Sequence, residues 1–256
     1  MDPSARDRFR YFLKDSVRQS IDFYNTDQNR GIEPPPLQKP FPSGAQRFDL
    51  LPAEKLHDIS AMDVFTAIGN RRSRRAFSLT ALTLKELSFL LWATQGVRKI
   101  ADPGTAFRTV PSAGCRHALE TYLCVFHVAG LEEGIYRYLP LEHQLLPVSR
   151  PENLVSRVAE AALDQEFAGK SAVTFIWTAI PYRMEWRYDI AAHKVIAIDA
   201  GHVCQNLYIA CEAIHAGTCA VAAYNQELMD RLLGIDGVEE FTIYLAPVGK
   251  TKGGGQ

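Results

Sequence analysis

The stretch Arg71-Arg72-Ser73-Arg74-Arg75-Ala76-Phe77 sets four guanidinium groups and one hydroxyl within five residues. It follows a segment of helical character, Ala61–Ile68, with Gly69-Asn70 between the two. Gly and Asn take the left-handed conformation that closes a helix more readily than other residues. The cluster is therefore expected where the chain leaves a helix and turns extended. A guanidinium offers a planar fork of donors matched to phosphate oxygens, and a serine hydroxyl adds one short bond. Taken alone, such a cluster fits a phosphate clamp, a solvated basic turn or a patch for nucleic acid. For an isolated Arg-rich pentamer the solvated turn is the commonest case, so the other segments must decide.

Working outward, the chain has 256 residues, 28 basic and 29 acidic side chains and a formal net charge of −1. That length suits one domain, or one domain with an arm. At 47% hydrophobic it can bury a sizeable core. Near-neutral charge argues against a polyanion as the main partner, so no nucleic acid is expected. Cys115, Cys124, Cys204, Cys211 and Cys219 are odd in number, form no C-x-x-C pair and lie mostly in apolar runs. They read as small core residues in a reducing, cytoplasmic setting. The amino-terminal segment is charged throughout, unlike a signal peptide, and no apolar run approaches a membrane span.

Residues 1–30 read as a polar arm in which Phe9, Phe12, Leu13, Val17 and Ile21 form a narrow helical stripe. Residues 31–53, with Pro34-Pro35-Pro36, Pro40, Pro42 and Pro52, form an extended connection. The domain proper is expected over 54–252. Ser60-Ala-Met-Asp63 resembles a capping box, and Thr83-Leu-Lys-Glu86 is a full one, opening a helix that buries Leu84, Leu87, Leu90 and Leu91 and ends at Gly96. Ala101–Val110 reads as a loop. In Pro111-Ser-Ala-Gly-Cys-Arg-His-Ala-Leu-Glu120 the small residues let a flat ligand approach the backbone, although an ordinary loop feeding a helix has the same pattern.

Tyr122–Val128, Gly134–Leu139 and Gln144–Val148 read as an antiparallel meander. Pro151 opens a helix with Leu154, Val155, Val158 and Ala162 on its apolar face. Val173–Ala179, apolar on both faces, reads as a central strand. Tyr182–Tyr188 mixes aromatic and charged residues, which suits an amphipathic helix start or the rim of a substrate pocket. Asp199-Ala-Gly-His202 opens a helix closed by Gly217, with His202 expected as a satisfied interior residue. Thr218–Tyr224 reads as a buried strand, Gln226–Leu233 as a helix and Phe241–Val248 as a last strand. No metal-ligand spacing and no internal repeat is found.

In this order, from about Ser60 to Lys250, the segments resemble the nitroreductase superfamily, and within it the SagB-type dehydrogenase branch. Four motifs carry the resemblance: Arg71–Phe77, Pro111-Ser-Ala-Gly with His117 and Glu120, Gly134-Ile-Tyr-Arg-Tyr, and Asp199-Ala-Gly-His with Gln205-Asn-Leu and Gly217-Thr-Cys-Ala. It implies an α+β fold with a central, mostly antiparallel sheet surrounded by helices. It also implies a homodimer with FMN at the subunit interface.

Carried over by position, Arg71, Arg72, Ser73 and Arg75 would hold the FMN phosphate, ribityl chain and pyrimidine edge. Pro111, Ser112, Ala113 and Cys115 would come from the partner subunit. Ala220, Val221, Ala222 and Ala223 would run beside the reactive edge, with Lys250 and Lys252 completing the phosphate site. Arg187 and Tyr188 are the candidate catalytic pair. The implied activity is hydride transfer from a donor such as NAD(P)H to a small nitroaromatic or quinone-like acceptor by a ping-pong route. The alternatives are a SagB-like oxidation of peptide-derived azoline rings and a non-catalytic flavin-binding scaffold. Two positions depart from the pattern: Ala118 replaces the usual Pro, and Arg187 stands where azoline-oxidising members have Lys. An Arg cannot readily release a proton near neutral pH.

Overall fold

In a computed structural model of the chain, residues 3–252 are described. In chain order the elements are α1 (Pro3–Leu13), β1 (Phe48–Asp49), α2 (Val64–Asn70), α3 (Leu84–Gln95), β2 (Val97–Asp102) and β3 (Thr105–Arg108). Next come β4 (Leu119–Val125), β5 (Gly134–Leu139), β6 (Gln144–Ser149), α4 (Leu154–Ala161), α5 (Glu166–Gly169) and β7 (Val173–Ala179). The chain continues with α6 (Tyr182–Tyr188), α7 (Ala192–Ala213), β8 (Ala216–Thr218), α8 (Gln226–Leu233) and β9 (Phe241–Lys250).

Seven strands form one sheet in the order β1-β6-β5-β4-β7-β9-β8, with every ladder antiparallel. The fold is thus α+β, as expected. Alternation along the central strands separates two cores. Leu123, Phe175 and Trp177 face the side covered by α3 and α7. Tyr122, Cys124 and Ile176 face the side covered by α4, α5 and α8. Because helices cover both faces, β4 and β7 are buried throughout, and their near-continuous apolar sequence follows from that.

Local signals account for several boundaries. Thr83 and Glu86 make the reciprocal capping box at the start of α3. Asn225 caps α8, and Gly234, left-handed at φ 70°, closes it. Elsewhere tertiary contacts override the local expectation. Gly69 and Asn70 stay inside α2, and Arg71 is its C-cap. Asp63, not Ser60, caps that helix, by accepting from the Thr66 amide. The expected loop at 101–110 is mostly the β2–β3 hairpin, turning at Asp102-Pro-Gly-Thr. Pro111–Glu120 feeds strand β4 rather than a helix. His202 is exposed rather than interior. Only Thr218 of the expected strand 218–224 belongs to one (β8); beyond it Val221 alone bridges to Leu245.

The proline-rich connection lies along its own domain. Trp186 Nε1 donates to Ile32 O (3.0 Å) and Arg108 to Leu37 O (2.8 Å). Arg137 donates to Pro40 O (3.0 Å) and the Lys39 amide to Glu120 Oε1 (2.8 Å). β1 then joins the sheet edge beside β6. These bonds give the extended backbone the partners its prolines deny it. In α1, by contrast, Phe9, Tyr11, Phe12 and Leu13 are all exposed.

Candidate active site

The arginine segment is held as an extra edge beside β8 and β9. The Arg74 amide donates to Thr218 O (2.9 Å) and the Ser78 amide to Lys250 O (2.7 Å). Glycines make the approach possible. A Cβ on Gly217 would lie 2.5 Å from Arg74 Cδ, and one on Gly249 would lie 2.9 Å from Phe77 Cβ. Arg74 is therefore turned inward, 3.8 Å from Glu212 on α7.

The other three arginines have no carboxylate partner among the described residues. Arg71 and Ser73 face Tyr208 of α7. The Arg71 guanidinium stands 5.4 Å from the Tyr208 ring centroid, and Ser73 Oγ is 3.0 Å from Tyr208 Oη. The first of these is a cation–π distance. Tyr208 Oη also accepts the Ala220 amide at 2.8 Å. Arg75 instead lies 5.8 Å from the Phe167 ring of α5, and Arg72 is exposed. So Arg71, Ser73 and Ala220 converge on one tyrosine that the sequence did not single out. The spacing Tyr208-x-x-x-Glu212 on one helix face, opposite Ser73 and Arg74, gives a signal only once the segment is known to lie there.

The remaining predicted flavin residues are spread around this centre. Val221 is buried and exchanges backbone bonds with Leu245. Ala222 and Ala223 are exposed, and Ala223 O accepts from Gln165. The Lys250 amine is directed away from the arginines, to Glu86 and to Ile214 O (2.6 Å). It borders a cleft of about 470 Å³ that is also lined by Asp63, Thr66 and His215. Lys252 is exposed.

A second cluster forms around the loop Pro111–Cys115. Its backbone is left-handed at Gly114 (φ 57°), Cys115 (φ 54°) and His117 (φ 47°). Non-glycine residues held this way concentrate at functional sites. Ser112 Oγ accepts the His117 amide (2.9 Å), and Ser112 O accepts the Cys115 amide (3.0 Å). Ser112 and the Ala113 backbone also reach buried Asp199, whose carboxyl is pushed up by burial. The ring of His117 faces Ala106 O at 3.0 Å, so Nε2 carries the hydrogen. Burial and the nearby Arg108 push its pKa down to about 3.

Gly114 touches α6: a Cβ there would sit 2.6 Å from Tyr188 Oη and 2.9 Å from Arg187 Cδ. The loop and the Arg187-Tyr188 pair are thus in contact within one chain. Asp189, at φ 49° and ψ −143°, holds the kink that follows them. The rest of α6 is more core-like than its composition suggests, because Arg183 is buried against Glu120 at 2.6 Å. Burial pushes the Glu120 carboxyl up, but Arg183, Arg137 and the Lys39 amide outweigh it and hold it below the usual range.

The two clusters lie along α7, one beside Asp199 and the other beside Tyr208. Nine residues of helix separate these, roughly 13 Å along the axis. Next to the arginine segment, Val64, Phe65 and Ile68 of α2 are exposed, Phe65 to 90%. A groove of about 440 Å³ lined by Val64, Phe89, Trp92 and Ile209 adjoins them. No group of three or more His, Cys, Asp or Glu among the described residues is arranged to hold a metal. No helix among them is long and apolar enough to cross a membrane.

A helix-flanked, seven-stranded antiparallel sheet, with an arginine segment and a small-residue loop set along one long helix, defines the α+β class of this chain. The chain belongs to the nitroreductase family, whose model matches residues 68–250. It is 33% identical over 196 residues to MJ1384 of Methanocaldococcus jannaschii, a candidate nitroreductase, covering 77% of this chain and 95% of that one. It is 28% identical over 170 residues to TfxB, a trifolitoxin-processing protein of Rhizobium leguminosarum bv. trifolii, but spans only 40% of TfxB's length. A candidate nitroreductase structure from Ralstonia eutropha superimposes with a TM-score of 0.67 at 24% identity, over 85% of this chain and 98% of that one. A chain of the Escherichia coli McbBCD microcin synthetase complex superimposes with a TM-score of 0.60 at 18% identity, over 84% and 85%. These two likenesses concern the fold.

Proposed function

We propose that the protein is an FMN-dependent oxidoreductase that works as a homodimer. It would pass a hydride from a reduced donor such as NAD(P)H to a small nitroaromatic or quinone-like acceptor, in ping-pong fashion. The observation that carries this is the state of Arg71, which stands with Ser73 at Tyr208 and, like its sequence neighbours Arg72 and Arg75, has no carboxylate against it among the described residues. Within the same segment Arg74 does have one, Glu212. An anionic group is what such a cluster lacks, and a doubly charged phosphate supplies it. The residues present therefore fit the cofactor's tail.

When bound, FMN supplies the hydride chemistry; the protein supplies binding, orientation and electrostatics. Arg71 and Ser73 would hold the phosphate, with Arg72 and Arg75 nearer the ribityl chain and pyrimidine edge. Lys250 and Lys252 would join them only after Lys250 leaves Glu86. The Pro111–Cys115 loop would come from a second copy of the chain, since it sits at the far end of α7 from the arginines of its own subunit. The exposed apolar side chains of α2 give that second copy a surface to cover. Arg187 and Tyr188 would orient an acceptor above the loop.

A second reading is supported by the similarity to TfxB, named for processing trifolitoxin, and to McbC, named for processing microcin B17. In it the protein is a SagB-type dehydrogenase oxidising peptide-derived rings. Arg187 would bind substrate charge there, with the Tyr188 hydroxyl beside it. The first reading predicts a yellow protein of twice the chain mass whose absorbance bleaches rapidly on anaerobic mixing with NADH. Colourless protein that does not take up added FMN overturns both readings. Bound FMN that no nicotinamide bleaches favours the second, or a scaffold without turnover.

A further inference from the structure

We propose that Tyr208 is a positioning residue that fixes the direction in which Ser73 donates its hydrogen, and so makes Ser73 selective for a phosphate-bearing ligand. The inference rests on the flavin reading above and adds a residue outside the arginine segment to it.

Three groups form a chain: the Ala220 amide, Tyr208 Oη at 2.8 Å, and Ser73 Oγ at 3.0 Å from that oxygen. The direction of the first bond is fixed, because a backbone N–H can only donate. The Ala220 amide occupies one acceptor position of the phenol, which favours the direction in which the phenol gives its own hydrogen to Ser73 Oγ. The serine then accepts on one side and has its hydrogen free on the other, where Ser73 is exposed. A hydroxyl set as a donor in this way suits an acceptor-only ligand such as a phosphate oxygen. Each bond also polarises the next. The Arg71 guanidinium above the phenol ring holds a second donor group at the same place.

The arrangement has its origin in the backbone. The chain leaves strand pairing after Thr218, so the Ala220 amide has no ladder partner and is satisfied by Tyr208 instead. The interruption of the expected strand at 218–224 and the orientation of Ser73 therefore have one cause.

The test compares FMN with riboflavin, which has the same ring and no phosphate, by quenching of flavin fluorescence on titration with the full-length protein. Wild type, Ser73→Ala, Tyr208→Phe and the double variant are measured. The expected result is a wild-type preference for FMN that falls about tenfold in each single variant, the size of one lost hydrogen bond to a charged group. The double variant should lose no more than either, and riboflavin affinity should hold within about twofold, on the scale at which about 1.4 kcal/mol is tenfold.

A wild type without preference overturns the phosphate clamp itself. A preference lost in Ser73→Ala but kept in Tyr208→Phe overturns only the present inference, as do additive losses. So does an equal loss of riboflavin affinity, since that is what a merely structural tyrosine would give. If Tyr208→Phe does not fold, Ala220→Pro removes the first donor and leaves the phenol in place. An undiminished FMN preference there overturns the inference equally.

Discussion

Tyr188 Oη lies 2.6 Å from the point a Cβ on Gly114 would occupy, and Gly114 is held at φ +57°. Both facts make a side chain costly at this place in the loop. Gly114→Ala should cost about 1 kcal/mol for the left-handed backbone alone. Displacing Tyr188 should add to that. In a Tyr188→Ala background the added part should vanish, giving a coupling of at least about 0.5 kcal/mol in a double-mutant cycle. Urea midpoints of the four proteins measure it, and an additive cycle would show that the contact carries no energy.

Arg71 and Arg74 lie three residues apart in sequence and are predicted to fail differently. Arg71→Ala should release FMN from the purified protein while leaving the urea midpoint in place. Arg74→Ala removes a stem packed on Gly217 and the partner of Glu212. It should lower stability by about 1 kcal/mol. Absorbance after gel filtration, together with denaturation curves, separates the two. Full FMN occupancy in Arg71→Ala would mean that the cluster has another task.

Arg183 and Glu120, 3% and 2% exposed at their side chains, form the most deeply buried ion pair among the described residues. Arg183→Leu leaves a carboxylate without its main partner and should destabilise by about 3–5 kcal/mol. Glu120→Gln keeps an acceptor for the Lys39 amide and should cost less. The order of the two midpoints is the test. The carboxyl is held below its unfolded value, so this pair's contribution is whole above about pH 4.5 and fades as the pH falls through the lowered value.

His117 sets an acid limb of its own. Its folded pKa of about 3 lies below the ordinary 6.5, so between these values the unfolded chain takes up the extra proton. The stabilisation is complete above the ordinary value and declines at up to about 1.4 kcal/mol per pH unit below it. Asn tolerates the left-handed backbone at 117. His117→Asn should therefore lower stability at neutral pH, yet show a shallower decline from about pH 6 to about pH 4. His143, also depressed by burial, contributes a slope of the same sign that the variant retains. Parallel pH profiles for the two proteins would rule out His117 as the source.

The sequence was most readable where the signal is local. The capping box at Thr83, strand Gly134–Leu139 and helix Gln226–Leu233 lie where spacing and caps put them. It was least readable where distant groups decide. Ala220–Ala223 are apolar enough for a strand, but Tyr208 takes the amide that a ladder would need. Tyr182–Tyr188 looks too charged to bury, yet Glu120, far off in the chain, neutralises Arg183. Asp102-Pro-Gly-Thr is a turn signal whose flanks were too mixed to read as strands. At the site, the arginine segment was visible as chemistry, but which of its members turns inward depends on Gly217.

Strand β9 reaches the sheet last and lies between β7 and β8 rather than at a border. During synthesis, the meander β4–β6 can therefore pair while β7 still lacks its outer neighbour and β8 has none. The arginine segment, made long before β9, must wait for that strand before Ser78 and Phe77 find their seats. Whatever the segment grips can be held only after Lys250 has emerged and β9 has paired, so its seat is completed late in folding.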